Sequence, residues 1–293
     1  WQSPSNIALV KYWGKRDPQL PSNPSISFTL DACHTQTKAH FEQGQGVQVL
    51  LDGVETPSFV PKIEQFIGRI QHRHPWLADY RLTVDTFNSF PHSSGIASSA
   101  SGLSALALCV VDAAQAVGHA LLEADPRREA SILARLGSGS ASRSVYGGLV
   151  VWGETASIPG SSDHYALPFP HVVHPVFSNF CDVVILVDVG QKAVSSTAGH
   201  ALMESHPFAE QRFAQAHTHM AAFKELLAQG DVFPFLDLVE REALTLHGLM
   251  MSSQPSYILM RPNTLHILEA IRRFRQETGT PIGFTLDAGA NVH

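Results

Sequence analysis

The sequence predicts two packed units of mixed strands and helices, the first rich in sheet and the second mainly helical. Three observations carry this. A chain of 293 residues lies near the size at which a single hydrophobic core stops growing and chains divide. Its early segments alternate apolar and polar residues with the period of strands, whereas the segments after Pro207 repeat apolar residues at helical spacing. Apolar residues make up 44% and charged residues 16% of the chain, which is ample material for burial and no sign of disorder.

Taken in order, Ser5 to Trp13, Ser25 to Leu30, Thr35 to Phe41 and Val47 to Leu51 read as strands, with Asp52-Gly53 as a hairpin turn. Ile63, Phe66, Ile67 and Ile70 give Lys62 to His72 a helical period, and Arg81 to Phe87 alternates as a strand. Ile96 to Val117 is a long helical stretch whose first turns hold only Ala, Ser and Gly. A shorter helix over Arg127 to Leu136 runs into Gly137-Ser138-Gly139-Ser140, and Gly148 to Gly153 returns as a strand. Asp182 to Val189 is a nearly continuous aliphatic run and reads as a buried strand. The boundary is expected just before it, giving units 1–178 and 179–293. Helices are predicted over Phe208 to Gln229, Asp231 to Ser252 and Thr264 to Thr278, with a closing strand over Ile282 to Leu286.

A formal net charge of -6 argues against a nucleic-acid or membrane-surface binder, which would carry a clustered basic excess. No apolar run approaches the roughly 20 residues that span a bilayer, so a cytoplasmic location is expected. Cys33, Cys109 and Cys181 are odd in number and far apart, fit neither a disulfide framework nor a zinc site, and read as buried thiols. His72-x-His74 and His217-x-His219 are poor metal pairs, since residues two apart on a helix point to different faces. Arg272, Arg273 and Arg275 read as the solvated side of a helix.

In Pro91-His92-Ser93-Ser94-Gly95-Ile96-Ala97-Ser98-Ser99-Ala100-Ser101-Gly102, a strand ends, a glycine turns the chain, and a helix opens with hydroxyls and bare backbone. Free N–H groups and the positive end of the helix dipole suit phosphate there; a helix start made small for close packing is the alternative. The Walker A and Gly-x-Gly-x-x-Gly patterns are absent. Three further segments carry charge: Asn6 to Arg16 ends an apolar strand in Lys-Tyr-Trp-Gly-Lys-Arg, Gly137 to Ser144 sets four hydroxyls beside Arg143, and Phe284 to Asn291 places Asp287 after an apolar run and before a glycine. Each has a plain reading as a solvated strand end, a flexible loop or a turn-capping acid. Val194-Ser195-Ser196-Thr197 adds three hydroxyls.

Together and in this order, the four segments from Asn6 to Asn291 resemble the mevalonate diphosphate decarboxylases of the GHMP kinase superfamily. The resemblance covers nearly the whole chain. It departs at His92-Ser93-Ser94-Gly95, where the family has Pro-Thr-Ala-Ala-Gly, at Ser142 for a cysteine, and at Ala290 for a proline; none of these removes a charge. The fold it implies is α+β and GHMP kinase-like in two domains, a ribosomal protein S5 domain 2-like N-terminal unit and a ferredoxin-like C-terminal unit. The activity it implies is ATP-dependent decarboxylation of mevalonate 5-diphosphate to isopentenyl diphosphate, with ADP, phosphate and CO2 released, by a homodimer.

The resemblance makes Asp287, Arg143 and Lys11 the catalytic groups. Asp287 orients or deprotonates the 3-hydroxyl, Lys11 holds that carboxylate as its ion, and Arg143 grips the C1 carboxylate. Asn6, Tyr12, Lys15, Ser138, Ser140, Arg143 and Ser196 would line the substrate pocket. Ser93, Ser94, Gly95, Ala97, Ser98, Ser99 and Ser101 would take ATP, with Mg2+ held through the phosphates and Ser98 or Ser99. A relative that only phosphorylates, such as a mevalonate 3-kinase, or one that decarboxylates the monophosphate, is the nearest rival; a non-catalytic nucleotide-binding module is the more distant one.

Overall fold

A computed structural model describes residues 1–91, 96–188 and 196–293. Its centre is one mixed sheet. Strand β1 (Gln2–Val10) is followed by a small hairpin of β2 (Lys15–Arg16) and β3 (Leu20–Pro21), and then by β4 (Ser25–Gln43). Next come β5 (Val47–Leu51), β6 (Val54–Glu55), β7 (Tyr80–Asn88), β8 (Leu149–Trp152) and β9 (Ala166–Pro168). The order is β6-β5-β7-β4-β8-β9, with β1 also paired to β4. The two strands expected over Ser25 to Leu30 and Thr35 to Phe41 are one. A register shift between Pro4 and Ser5 pairs them with His34 and Leu30, so residues 31–33 bulge and β4 bends without turning back. The β5–β6 hairpin closes through Asp52 and Gly53 at φ 54° and 76°, the left-handed pair that a two-residue turn requires.

One face of the sheet carries α1 (Val60–Ile70), α2 (Ser98–Ala116) and α3 (Pro126–Gly137), packed through Phe66, Leu103, Leu106, Val110, Leu133 and Trp152. By length and hydropathy α2 passes for a membrane span, but 67% of it is buried inside the fold, so its apolar run is core. Against the opposite face, Leu9, Val10, Ile26 and Val151 meet Phe223 of α5 (Ala209–Gln229) and Phe235 of α6 (Val232–Ser252). Burying each such phenylalanine contributes about 1.5–3 kcal/mol. The two rings also stack edge to face at 5.1 Å. Helix α4 (Ser196–Ala201) precedes α5, and α7 (Pro262–Thr278) packs Leu268 against Ala243, Phe284 and Leu286.

Several expectations need correction. Among the described residues of the Asp182 to Val189 run there is no strand: it is irregular, with one bridge from Ile185 to Val292, and Val183 is 69% exposed. Aliphatic residues with a neighbour on one side only stay open to solvent. Ile282 to Leu286 is likewise outside any strand, although Thr285 exchanges both backbone hydrogen bonds with His293. Of the three thiols only Cys109 is buried; Cys33 is half-buried and Cys181 is exposed. Gly137 to Ser144 is no flexible loop, because Gly139–Val145 forms a buried 3-10 turn. Arg272 and Arg275 do more than face solvent: both hold the buried carboxylate of Glu240, at 3.0 and 2.6 Å.

Candidate active site

The end of β1 carries the first group. Lys11 is the first residue after β1, where the sheet pairing ends, so its backbone must find side-chain partners. Its N–H donates to Glu242 at 2.8 Å, and its carbonyl accepts from Asn23 Nδ2 at 3.0 Å and Arg212 Nη2 at 2.9 Å. The side chain is 2% exposed, and its Nζ lies 2.9 Å from Oδ1 of Asp287, which is 30% exposed. The pair is asymmetric, with Lys11 closed off from water and Asp287 open on one side. The peptide of Asp287 is held as well, its carbonyl accepting from His247 Nε2 at 3.1 Å. Asn291, the last residue of that motif, accepts from the N–H groups of Val187 and Asp188 and ties down the 187–188 segment.

Arg143 sits in the 3-10 turn after α3. Its guanidinium donates to Asn6 Oδ1 at 3.1 and 3.3 Å and to Ser25 Oγ at 2.6 Å, while Asn6 Nδ2 donates to Ser144 Oγ at 2.7 Å. It is 3% exposed and pairs with no carboxylate among the described residues. Burial pushes its pKa down to about 10, with Asp287 and Tyr12 pulling the other way. A buried cation whose direct partners are neutral dipoles is costly, and the nearby charge of Asp287 offsets only part of that cost.

Around it stand more cations without a described carboxylate partner. Arg135 donates to the carbonyls of His164 and Pro18 and is driven to about 10 by burial. Arg69 donates to the carbonyl of Leu136. The Nζ of Lys15 donates to Gln19, and its pKa falls through burial and the charge of Arg69. Tyr12 lies between Trp152, 4.7 Å away edge to face, and His200 at 4.2 Å; burial raises its phenol strongly against the pull of Arg143 and Arg135. Gly139 lets this ring in, since a Cβ there would come within 2.9 Å of the Tyr12 hydroxyl. The hydroxyls of Ser138 and Ser140 are half-buried and have no partner among the described residues.

The helix start is the second half of the site. Ala97, the N-cap of α2, has φ 46° and ψ 40° and offers no side-chain cap. A left-handed alanine is strained by about 1–2 kcal/mol, and the first N–H groups of α2 are left for a ligand. Lys62 Nζ donates to Ser99 Oγ at 2.8 Å, bringing a cation to that end. Ser98 and Ala97 are half-buried beside it. Ser101 belongs elsewhere: it is fully buried and its hydroxyl is taken by Thr35 at 2.6 Å and the carbonyl of Ser98, so it packs α2 against β4. Ser93, Ser94 and Gly95 lie outside the described residues, as does the side chain of Ser196.

The structure therefore gathers Asn6, Lys11, Tyr12, Lys15, Arg143 and Asp287 with Ser138 and Ser140. Sequence reasoning missed Lys62, Arg69 and Arg135, which sit on helix faces where a cation reads as solvated, and His200 and His247. Both of these histidines are held neutral by burial, at about 3 and about 4, with Lys15 and Lys11 respectively adding to the shift. Three of the paired histidines make hydrogen bonds within the protein, and His72 is exposed. His74 and His219 face Glu129 and Glu242, and His217 faces Thr155.

The site thus combines a helix start without a side-chain cap, a lysine at that end, cations with no carboxylate partner among the described residues, and a Lys–Asp pair. Residues 3–166 match the diphosphomevalonate decarboxylase-like N-terminal domain, and residues 183–293 the mevalonate 5-diphosphate decarboxylase C-terminal domain. The chain is 30% identical to the diphosphomevalonate decarboxylase of Gibberella zeae over 99% of its own length and 78% of that protein. It is 29% identical to the phosphomevalonate decarboxylase of Haloferax volcanii, over 97% and 84%. The solved complex of MDDEF with MVAPP, AMPPCP and magnesium superposes at a TM-score of 0.83 with 29% identity, covering 99% of this chain and 86% of that one. The chain belongs to the diphosphomevalonate decarboxylase family.

Proposed function

We propose that this chain uses ATP to convert mevalonate 5-diphosphate to isopentenyl diphosphate, ADP, phosphate and CO2, as a step of the mevalonate pathway. The observation that carries the reading is Arg143, a buried cation with no described carboxylate partner beside an acid whose lysine partner is itself buried. Such a pair of sites suits a substrate with a carboxylate near the hydroxyl to be activated.

In this reading Asp287 orients the tertiary 3-hydroxyl and takes its proton as the hydroxyl oxygen attacks the terminal phosphorus of ATP. The phosphate ester so formed leaves more readily than hydroxide. As the C3–O bond breaks, the C1–C2 bond electrons form the C2–C3 double bond and CO2 departs. Arg143 holds the C1 carboxylate in line until then. Lys15, Arg69 and Arg135, with Tyr12, Ser138 and Ser140, take the 5-diphosphate; Ser196 belongs to the same pocket by resemblance. The uncapped N-terminus of α2, Lys62 and Ser99 fit the phosphates of ATP, and Ser98 or Ser99 offers a hydroxyl to Mg2+, which when bound neutralises phosphate charge.

The same reading divides the chain into units 1–178 and 179–293 and makes the enzyme a cytoplasmic homodimer. The relative from Haloferax volcanii supports a second reading, decarboxylation of the monophosphate, in which some of the cations around Lys15 stay unmatched. ADP release measured on mevalonate, its 5-phosphate and its 5-diphosphate, with CO2 trapped in parallel, separates these and a kinase that stops at the phosphate ester. Turnover by Asp287→Ala at the wild-type rate would remove the base.

A further inference from the structure

Lys11 and Asp287 come from opposite ends of the chain, yet their charged atoms meet at 2.9 Å. Each backbone is held by the same helix. From α6, Glu242 accepts the N–H of Lys11 at 2.8 Å, and five residues on, His247 donates to the carbonyl of Asp287 at 3.1 Å. Five residues turn a helix through one full revolution and about 140° more, so the two side chains leave on different faces and reach two different segments. Both are buried, Glu242 completely and His247 to 2% exposed.

The grip of Glu242 is itself braced. Arg212 of α5 donates to both of its oxygens, at 2.7 and 2.6 Å, and His219 donates to Oε1. One nitrogen of that guanidinium also reaches the carbonyl of Lys11 at 2.9 Å, so the peptide groups on both sides of the Lys11 side chain are fixed by one ion pair. The acid stays charged: burial alone would raise its pKa, but the hydrogen bonds from His219 and Arg212 and the charge of Arg212 outweigh it and hold it at about 2. His247 is a neutral imidazole whose Nε2 carries the hydrogen, because a carbonyl only accepts.

We infer that α6 is the jig for the catalytic pair, with Glu242 (braced by Arg212) and His247 acting as positioning residues that set Lys11 against Asp287. This rests on the catalytic roles proposed above for those two. Neither positioning residue touches the reacting atoms, so their loss should slow turnover and leave nucleotide binding alone.

The test is steady-state kinetics on the full chain with mevalonate 5-diphosphate and ATP, comparing His247→Leu, which keeps bulk and removes the donor, with His247→Gln, which restores an N–H at similar reach. Glu242→Gln and Asp287→Ala are run beside them. Expected is a fall in kcat of about 10²-fold for His247→Leu, the effect of a misplacement near 1 Å, with the KM for ATP within about threefold of wild type. His247→Gln should recover to within about tenfold of wild type, and Glu242→Gln should lose about tenfold in kcat at unchanged KM for ATP. If His247→Leu does not fold, Glu242→Gln decides alone, since it keeps the shape of the side chain. Wild-type kcat in His247→Leu and Glu242→Gln, or a His247→Gln as slow as His247→Leu, overturns the inference. If Asp287→Ala is inactive while those variants run at full rate, only the jig falls; if Asp287→Ala is itself active, the assignment of the base falls first.

Discussion

Two buried glutamates, one in each half of the chain, sit in nearly the same surroundings. Glu129 on α3 receives both branches of Arg73, at 2.9 and 2.7 Å, with His74 at 3.1 Å and the backbone N–H of Glu123 at 3.2 Å. Glu242 on α6 receives both branches of Arg212, His219 and the backbone N–H of Lys11. In each, burial would raise the acid, and hydrogen bonds from the arginine and the histidine hold it at about 2 instead. What differs is the fourth partner. Around Glu129 it belongs to the loop before α3, whereas at Glu242 it belongs to the residue whose side chain meets Asp287. A charge cluster's chemistry does not tell whether it serves stability alone; the identity of the backbone group it holds does.

The largest expected effect tests what the clusters share. Removing Glu242 leaves Arg212 buried without its partner, a change that typically costs about 3–5 kcal/mol, whereas removing Glu129 leaves Arg73 16% exposed with Glu123 still 3.8 Å away. Glu242→Ala should therefore lower stability by about 3–5 kcal/mol in denaturant melts, a large part of what holds a domain of this size, and Glu129→Ala by less, since Arg73 reaches water and Glu123. A loss under about 1 kcal/mol in Glu242→Ala would mean that the cluster is wet enough to behave as a surface pair. Glu129→Gln then separates the two: it should lose stability and keep kcat, and a fall in kcat there like that of Glu242→Gln would erase the distinction.

The next effect is in pH. Glu129 and Glu242 have folded values near 2 against 4.5, so what they contribute is complete above pH 4.5 and lost as pH falls toward 2. His200 and His247 start earlier. Their folded values of about 3 and about 4 lie below the ordinary 6.5, so between pH 6.5 and 4 the unfolded chain binds two protons that the folded chain refuses. Stability is then complete above pH 6.5 and should fall by about 2.7 kcal/mol per pH unit below it. His247→Gln should halve that slope, by about 1.4 kcal/mol per pH unit, in urea melts across that window. An unchanged slope would mean that the imidazole protonates inside the fold.

How much of this was legible in the sequence follows the same division. Lys11, Arg143 and Asp287 stand in short motifs that each have a plain reading alone, and it is the order of those motifs along the chain and the family resemblance it carries that single them out. Three helices of the second half, α5, α6 and α7, were placed within about two residues from their apolar period, and boundary errors of that size are usual, whereas the short α4 was not foreseen. The Asp182 run misled because an aliphatic stretch promises burial only if strands flank it on both sides, and Ile185 has one bridge. Lys62, Arg69 and Arg135 went unseen because a cation on an amphipathic helix looks the same whether it meets water or a phosphate. The Glu242 cluster could not be read at all, since Lys11 lies 231 residues from it and only the packing of α6 on β1 brings them together.

The smallest effect expected is at the surface, where an ion pair with good geometry lacks the burial of the two clusters. Arg16 Nη2 lies 2.6 Å from Asp163 Oδ2, but its side chain is 58% exposed. Water screens such a pair and two long side chains lose freedom to make it, so the net is about 0–1 kcal/mol. Arg16 is the partner to change: its Nη2 also donates to the carbonyl of Pro21 at 3.1 Å, which sets an upper bound on the pair, whereas losing Asp163 would free the backbone N–H of Glu154, held at 2.8 Å. Arg16→Ala should lower Tm by no more than about 4 °C, and the difference from wild type should shrink at about 1 M salt, where the screening length falls to about 3 Å. The loss in Glu242→Ala should hardly respond to the same salt, since Arg212 and Glu242 are both out of water. If instead the Arg16 variant lost as much as the buried ones, short distance would outweigh burial in this fold, and the contrast drawn between Glu129 and Glu242 would have to be sought in geometry.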